Sequence, residues 1–144
     1  MISNGKFYES QFEEATIELL REAHWQYAFG DDIHRKYTDP LIEEDLRNFL
    51  TVQYKDKNLT TSEMDSIVAN LRNTGGQNDY YALRNAFLLY RDGYDFAYSD
   101  GRDNPFRLEY IDFEHPDHNI FRCVNQFVME QGRENRRPDI LLFI

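Results

Sequence analysis

The hydrophobic pattern changes its period near Gly93, and this change constrains the fold more than any other feature of the sequence. Before this glycine, apolar residues recur every three to four positions, which is typical of amphipathic helices. After it, short segments rich in aromatic and β-branched residues alternate with turn-forming residues, as in antiparallel sheets. The sequence therefore predicts an α+β fold with N-terminal helices followed by a mostly antiparallel four-stranded sheet.

The first predicted helix lies in the segment SQFEEATIELLREAHWQY. Ser10 is the predicted N-cap, and Glu13 follows three residues later at capping-box spacing. Phe12 and Leu19 recur along the predicted apolar face of this helix.

Three further helices are predicted before the period changes. Thr60 and Glu63 form a second capping-box pattern, and Gly93 is typical of the residue that ends a helix. The three segments are PLIEEDLRNFL, TTSEMDSIVANLRN and YYALRNAFLLYRDG.

Four strands are predicted after the helices. The last contains five consecutive apolar residues, 140–144, which predict burial on both faces and a place in the middle of the sheet. No repeat or linker divides the sequence, so we expect a single domain over residues 1–144. The four segments are YDFAYS, FRLEYIDF, IFRCVNQFVME and PDILLFI.

The charge of the chain counts against a surface built to bind nucleic acid. It has 26 acidic and 16 basic residues and a net charge of −10, whereas phosphate binding depends on Lys and Arg. The single cysteine, Cys123, is predicted to be a small buried side chain. Neither an 18-residue apolar run nor a signal-peptide pattern occurs, so we expect a cytoplasmic protein without a membrane partner.

Asp139 is the first candidate for metal chemistry. It stands beside Pro138 at the entrance to the last strand, where a carboxylate suits a Mg²⁺ site, although many strand-end carboxylates are only solvated. Glu13 is a second candidate, but its capping position explains it without any further role. The adjacent Glu14 is able to replace Glu13 in a cleft.

Two other polar groups have an ordinary and a functional interpretation. His115 and His118 lack a third and a fourth ligand in the sequence pattern, so we do not expect a zinc site there. Arg133, Arg136 and Arg137 form a basic cluster just before Asp139. These arginines are either solvated residues of a hairpin turn or phosphate contacts beside a metal.

Three specific motifs follow one another along the chain: IDF…P…N in residues 111–119, NQF in residues 125–127 and RRPD in residues 136–139. Less specific segments are ESQFEEATIELL, HWQY and NAFLLYRDGYDF. In this order, these motifs resemble the N-terminal domain of the restriction (R, or motor) subunit of type I restriction enzymes, over essentially the whole chain.

The resemblance implies a nuclease similar to the PD-(D/E)xK enzymes, with an incomplete restriction-endonuclease-like core in this chain. Asp139 matches the first metal-binding carboxylate, and Glu13 matches the acidic residue of the first helix. The E-x-K motif has no match, because the sequence ends at Ile144. We therefore expect a fragment that does not cleave DNA alone, from a parent that performs Mg²⁺-dependent hydrolysis of DNA.

The resemblance also implies partners outside this chain. The parent protein would bind ATP in a later motor domain, act on DNA and assemble with modification and specificity subunits. None of those parts is expected within residues 1–144.

Two alternatives explain the acidic composition differently. In the first, the chain is a non-catalytic docking module whose acidic helical residues contact a basic motor domain or partner subunit. A Glu-x-Lys encoded directly after residue 144 would favour catalysis, and its absence would favour docking. In the second, the chain is a DNA-mimicking inhibitor, which leaves the ordered motifs unexplained. The residues of the predicted docking face are Glu43, Glu44, Asp45, Glu63 and Asp65.

Overall fold

A computed structural model describes residues 9–73 and 79–144 of the chain. They form two compact units: a terminal unit of residues 9–42 and 120–144, and a central unit of residues 43–73 and 79–119. The α+β class is confirmed. Among the described residues, none of the helices has the length and apolar character needed to span a bilayer.

The helices are α1 Glu9–Glu22, α2 Glu43–Gln53, α3 Thr61–Arg72 and α4 Asp79–Asp92. The strands are β1 Gln26–Phe29, β2 Tyr94–Phe96, β3 Phe106–Leu108, β4 Arg122–Asn125, β5 Met129–Gln131, β6 Glu134–Arg136 and β7 Ile140–Phe143.

The terminal unit contains a three-stranded sheet in the order β1-β4-β7. β1 runs parallel to β4, whereas β7 runs antiparallel to it. Its core is built on Ile42, Val124 and Phe127, and the last two are fully buried. Removing these apolar side chains from water stabilises the unit by about 1.5 to 3 kcal/mol each. The partly buried residues packed on this core are Ile33, Met129, Leu141 and Phe143.

The predicted central position of the last strand is wrong. β4 occupies the middle of this sheet, and β7 lies at its edge within the described residues, with Leu142 53% exposed. The reason is β1, a short strand that the hydrophobic pattern did not reveal. Because β1 pairs with one side of β4, β7 takes the other side.

The first helix forms, but its predicted cap and apolar face are wrong. Ser10 already lies within α1, so it is not the N-cap. Ile17 is the buried residue of this helix, whereas Phe12 and Leu19 are 60% and 66% exposed. The buried face is therefore turned away from the predicted stripe, which brings Glu13 beside the sheet.

The central unit begins with α2 and α3, which are in contact. The predicted capping box of α3 is confirmed: the Glu63 N–H donates to the Thr60 hydroxyl at 3.1 Å, and the Thr60 N–H donates to the Glu63 carboxylate at 2.9 Å. These bonds satisfy two amide groups that have no partner inside the helix. Ile67 and Val68 then face the core and are almost completely buried.

α4 ends where the sequence predicts. Gly93 has a φ of +66°, and its N–H donates to the Leu89 carbonyl at 2.9 Å, so the left-handed residue stops the helix. β2 and β3 follow as an antiparallel pair, as predicted. The apolar side of α4 is largely solvent-exposed, with Leu83 and Phe87 at 73% and 60%.

The single predicted four-stranded sheet is replaced by three small sheets in the described residues. The segment FRLEYIDF is a strand only over Phe106–Leu108, and IFRCVNQFVME is divided at Gln126, where φ is +56°. A left-handed residue changes the direction of the chain, so β4 does not continue into β5. β5, at the end of that predicted segment, instead pairs in a hairpin with β6, a strand that the sequence did not predict.

Candidate functional site

Asp139 lies immediately before β7 and next to the end of β4. Its backbone carbonyl accepts a hydrogen bond of 3.1 Å from the Gln126 N–H, just beyond the pairing of Asn125 with Ile140. The side chain of Asp139 is exposed. Strand pairing therefore fixes the backbone of the carboxylate residue and leaves its side chain accessible.

A close approach of two backbones shapes the turn at Gln126. A Cβ atom on Gly30 would lie 2.7 Å from the Gln126 carbonyl carbon and closer still to its oxygen. Only glycine fits such a position without movement of the backbone. Gly30 directly follows β1, so the β1–β4 pairing and the left-handed Gln126 are built together.

Glu13 reaches this turn from α1. Its carboxylate accepts a hydrogen bond of 3.0 Å from the Asn125 side-chain amide. The Gln126 amide nitrogen lies 3.2 and 3.3 Å from the two Glu13 oxygens and 3.5 Å from an oxygen of Asp139. The structure thus brings both predicted carboxylates, Glu13 and Asp139, to one amide nitrogen.

Tyr27 supports this arrangement from β1. Its hydroxyl donates to the Asn125 amide oxygen at 2.7 Å, which leaves the NH₂ group of Asn125 pointing to Glu13. Burial, and then the charge of Glu13, raises the pKa of the Tyr27 hydroxyl, so this group stays protonated and donates. Sequence analysis missed Tyr27 because it did not recognise β1.

An open acidic cavity of about 360 Å³ lies beside Glu13. Its lining includes Glu14 and Glu18 together with one basic residue, Arg21. Asp139 does not line this cavity; its carboxylate contacts the Gln126 amide nitrogen instead. The complete lining is Ser10, Glu13, Glu14, Ile17, Glu18, Arg21, Tyr27 and Asn125.

The three arginines predicted as possible phosphate contacts are all exposed. Arg136 ends β6, Arg133 lies in the turn that precedes it, and Arg137 follows directly. They are accessible to solvent on the chain segment that leads to Asp139.

Comparison with known proteins decides the family. A sequence profile described as "Type I restriction enzyme R protein N terminus" matches residues 6–144. The chain belongs to this family. The R-protein N-terminus resemblance expected from the motifs is therefore confirmed.

A curated relative agrees with this family. The chain is 25% identical over 146 residues to the Type I restriction enzyme HindI endonuclease subunit of Haemophilus influenzae. The match covers 94% of this chain and 14% of that subunit, so the chain spans about one seventh of its relative. No solved structure matches the chain. Membership of the R-protein N-terminus family supports a nuclease parent.

The donor atoms around Gln126 fit the divalent cation that this family suggests. Glu13 and Asp139 offer carboxylate oxygens that both contact the Gln126 amide nitrogen. Oxygen ligands with one or two carboxylates suit Mg²⁺, which keeps several waters. Within the described residues, neither carboxylate forms an ion pair with Lys or Arg, so a cation has no charged competitor there.

Proposed function

We propose that this chain is the metal-binding front part of a Mg²⁺-dependent DNA endonuclease, with Glu13 and Asp139 as its carboxylate ligands. The observation that best supports this proposal is that both carboxylates contact the Gln126 amide nitrogen, although Glu13 is 113 residues away from Gln126 in sequence. Two acids placed around one polar group repel each other unless positive charge is supplied. A bound cation supplies that charge.

The side chains of this chain hold and orient the ligands. The Tyr27 hydroxyl fixes the Asn125 amide, which in turn fixes the Glu13 carboxylate. Gln126 is held by its left-handed backbone and contacts both acids. When bound, Mg²⁺ supplies a Lewis acid that polarises a phosphoryl oxygen and lowers the pKa of water.

The chain lacks part of the catalytic machinery that the PD-(D/E)xK likeness implies. Residues 140–144 contain neither the glutamate nor the lysine of an E-x-K motif. We therefore propose that this chain alone does not cleave DNA. Incubation with Mg²⁺ and supercoiled plasmid should give no nicking, and nicks that disappear in Asp139→Ala would contradict this proposal.

The activity of the parent protein is proposed by analogy with the R-protein family. It acts in the cytoplasm on DNA, binds ATP outside residues 1–144 and works with modification and specificity subunits. Arg133, Arg136 and Arg137 are exposed on the chain segment just before Asp139, so they are proposed to contact phosphates despite the acidic charge of the chain.

The parent complex tests the nuclease proposal directly. Asp139→Asn and Glu13→Gln should each lower DNA cleavage by at least about 100-fold, since changes beside a metal ligand alone cost 10- to 100-fold. ATP hydrolysis should be unchanged, because the motor is a separate site. Glu134→Gln on β6 is a matched control and should cleave normally. Full cleavage by Asp139→Asn would exclude this carboxylate as a ligand.

The second candidate, an acidic docking module, has weaker support. Arg47 forms ion pairs with Glu43 and Asp65, and Arg102 pairs with Glu63. Glu63 is 5% exposed, so it is not part of an acidic surface as predicted. Much of the predicted docking charge is thus neutralised within the central unit, which favours the nuclease proposal.

A further inference from the structure

The central unit contains a closed turn around a buried carboxylate. Asp112 is 5% exposed, and one of its carboxylate oxygens accepts the N–H groups of Glu114 and His115 at 3.0 and 2.9 Å. The other oxygen accepts the Gln53 side-chain amide at 2.8 Å. These donors fix the carboxylate.

Asn119 closes the same turn from its other end. Its side-chain oxygen accepts the Asp112 N–H at 2.9 Å, and its amide nitrogen donates to the carbonyls of Asp112 and Pro116 at 2.9 and 3.0 Å. The segment between Asp112 and Asn119 is therefore held in one conformation by its own side chains.

Two histidines of this turn face the same carboxylate oxygen. The Nδ1 atoms of His118 and His115 lie 3.0 and 3.5 Å from Asp112 Oδ2. The two imidazole rings stack with centroids 4.9 Å apart at an angle of 17°. One ligand atom from each of the three residues lies within 4.8 Å of the other two. Asp112 is thus a third candidate ligand beside the two histidines, which the sequence pattern did not show.

These distances suit a small tetrahedral cation. Zinc bonds of about 2.0 to 2.2 Å to nitrogen and oxygen place neighbouring ligand atoms roughly 3.3 Å apart. The two observed separations from Asp112 Oδ2 lie on either side of that value.

We propose that Asp112, His115 and His118 form a Zn²⁺ site that clamps this turn. Two imidazoles and one carboxylate form a donor set typical of zinc, whereas the oxygen-only donors around Gln126 suit Mg²⁺. Three protein ligands leave a fourth position for water. The histidine side chains are 60% and 48% exposed, so an ion from solvent reaches them without opening the fold.

The same contacts would exist without metal if the imidazoles were only hydrogen-bond donors to Asp112. A measurement of metal binding distinguishes imidazoles that bind a metal from imidazoles that only donate hydrogen bonds. The metal-free chain should bind one Zn²⁺ in competition with a chromophoric chelator. Added Co²⁺ should give the intense visible absorption of a tetrahedral site.

Histidine variants make this test specific. His115→Ala and His118→Ala should each weaken Zn²⁺ binding at least about tenfold, because loss of a direct ligand costs no less than loss of an outer contact. The double variant His24→Asn/His34→Ala removes the other two histidines and should bind normally. Asn is chosen at His24 because φ there is +70°.

Two outcomes would overturn the zinc proposal. One is a chain that binds no Zn²⁺ at micromolar concentration while its circular dichroism shows a folded protein. The other is equal loss of binding in the control double variant, which would indicate scattered surface histidines. The Mg²⁺ site is tested with different residues, so failure of either site leaves the other unaffected.

Discussion

Glu63 in the central unit has a positively charged partner, whereas the two candidate ligands in the terminal unit contact neutral groups. In the central unit, Glu63 pairs with Arg102 at 2.5 Å and accepts the Thr60 N–H at 2.9 Å. In the terminal unit, the Glu13 and Asp139 carboxylates meet only neutral amide groups within the described residues. A carboxylate that stabilises a fold has its charge compensated by the protein, whereas a metal ligand must keep its charge for the ion.

The pKa of Glu63 reflects this compensation. The Arg102 guanidinium, and then the N–H group of the capping box, hold the pKa of Glu63 at about 2. This lowered pKa therefore indicates a charge that stabilises the fold.

The largest expected effect is on the turn that brings the two candidate ligands together. Gly30→Ala forces a Cβ atom into the Gln126 backbone, so we expect a loss of about 3 kcal/mol in the free energy of unfolding. Urea denaturation measures this loss in the free energy of unfolding. Gly132→Ala is the control: its φ is +60° but its surroundings are open, so about 1 kcal/mol is expected. Equal losses would show that the close approach at Gly30 is not important.

The next expected effect is the pH dependence of the free energy of unfolding that Glu63 causes. The folded pKa of Glu63, about 2, lies below its ordinary value of 4.5. As the pH falls, the unfolded chain therefore binds a proton at Glu63 before the folded chain does. The stability that Glu63 contributes is complete above pH 4.5 and is lost as the pH falls towards 2.

Glu63→Gln tests this assignment, because glutamine keeps the capping acceptor but does not titrate. Between pH 4.5 and 2, the variant should take up about one proton fewer on unfolding than the wild type. Urea denaturation at several pH values gives this number. Identical proton uptake by both proteins would contradict the structural role of Glu63.

A smaller effect is expected at the support of the candidate site. Tyr27→Phe removes the hydroxyl that orients Asn125, which should cost about 1 kcal/mol of stability. The matched change Tyr37→Phe removes an exposed hydroxyl with a long contact of 3.4 Å to Asp31 and should cost less. Equal and negligible losses would indicate that Tyr27 does not hold the site.

Local signals predicted the elements that depend on neighbouring residues. Thr60 and Glu63 marked the start of α3, Gly93 marked the end of α4, and the turn after β2 correctly predicted its pairing with β3. Each of these features depends on contacts within a few residues, so the local sequence contains the necessary information.

Long-range pairing could not be predicted in this way. β1 has only four residues, too few to show a period, yet its parallel pairing with β4 decides that β7 lies at the edge. Asp139 was a candidate because of its place at the entrance of the last strand, and the motif resemblance then matched both Glu13 and Asp139 to metal-binding acidic residues. Their common contact with Gln126 depends on a left-handed turn and on Gly30, and neither is visible in hydrophobic patterns.

Cation binding to the chain tests the central claim most directly. Mn²⁺ replaces Mg²⁺ as the probe in electron paramagnetic resonance titrations, with His115→Ala/His118→Ala as the background to remove the proposed zinc site. We predict one bound Mn²⁺, weakened at least about tenfold by Asp139→Asn and by Glu13→Gln but not by Glu134→Gln. Unchanged Mn²⁺ affinity in both ligand variants would contradict a cation shared by Glu13 and Asp139.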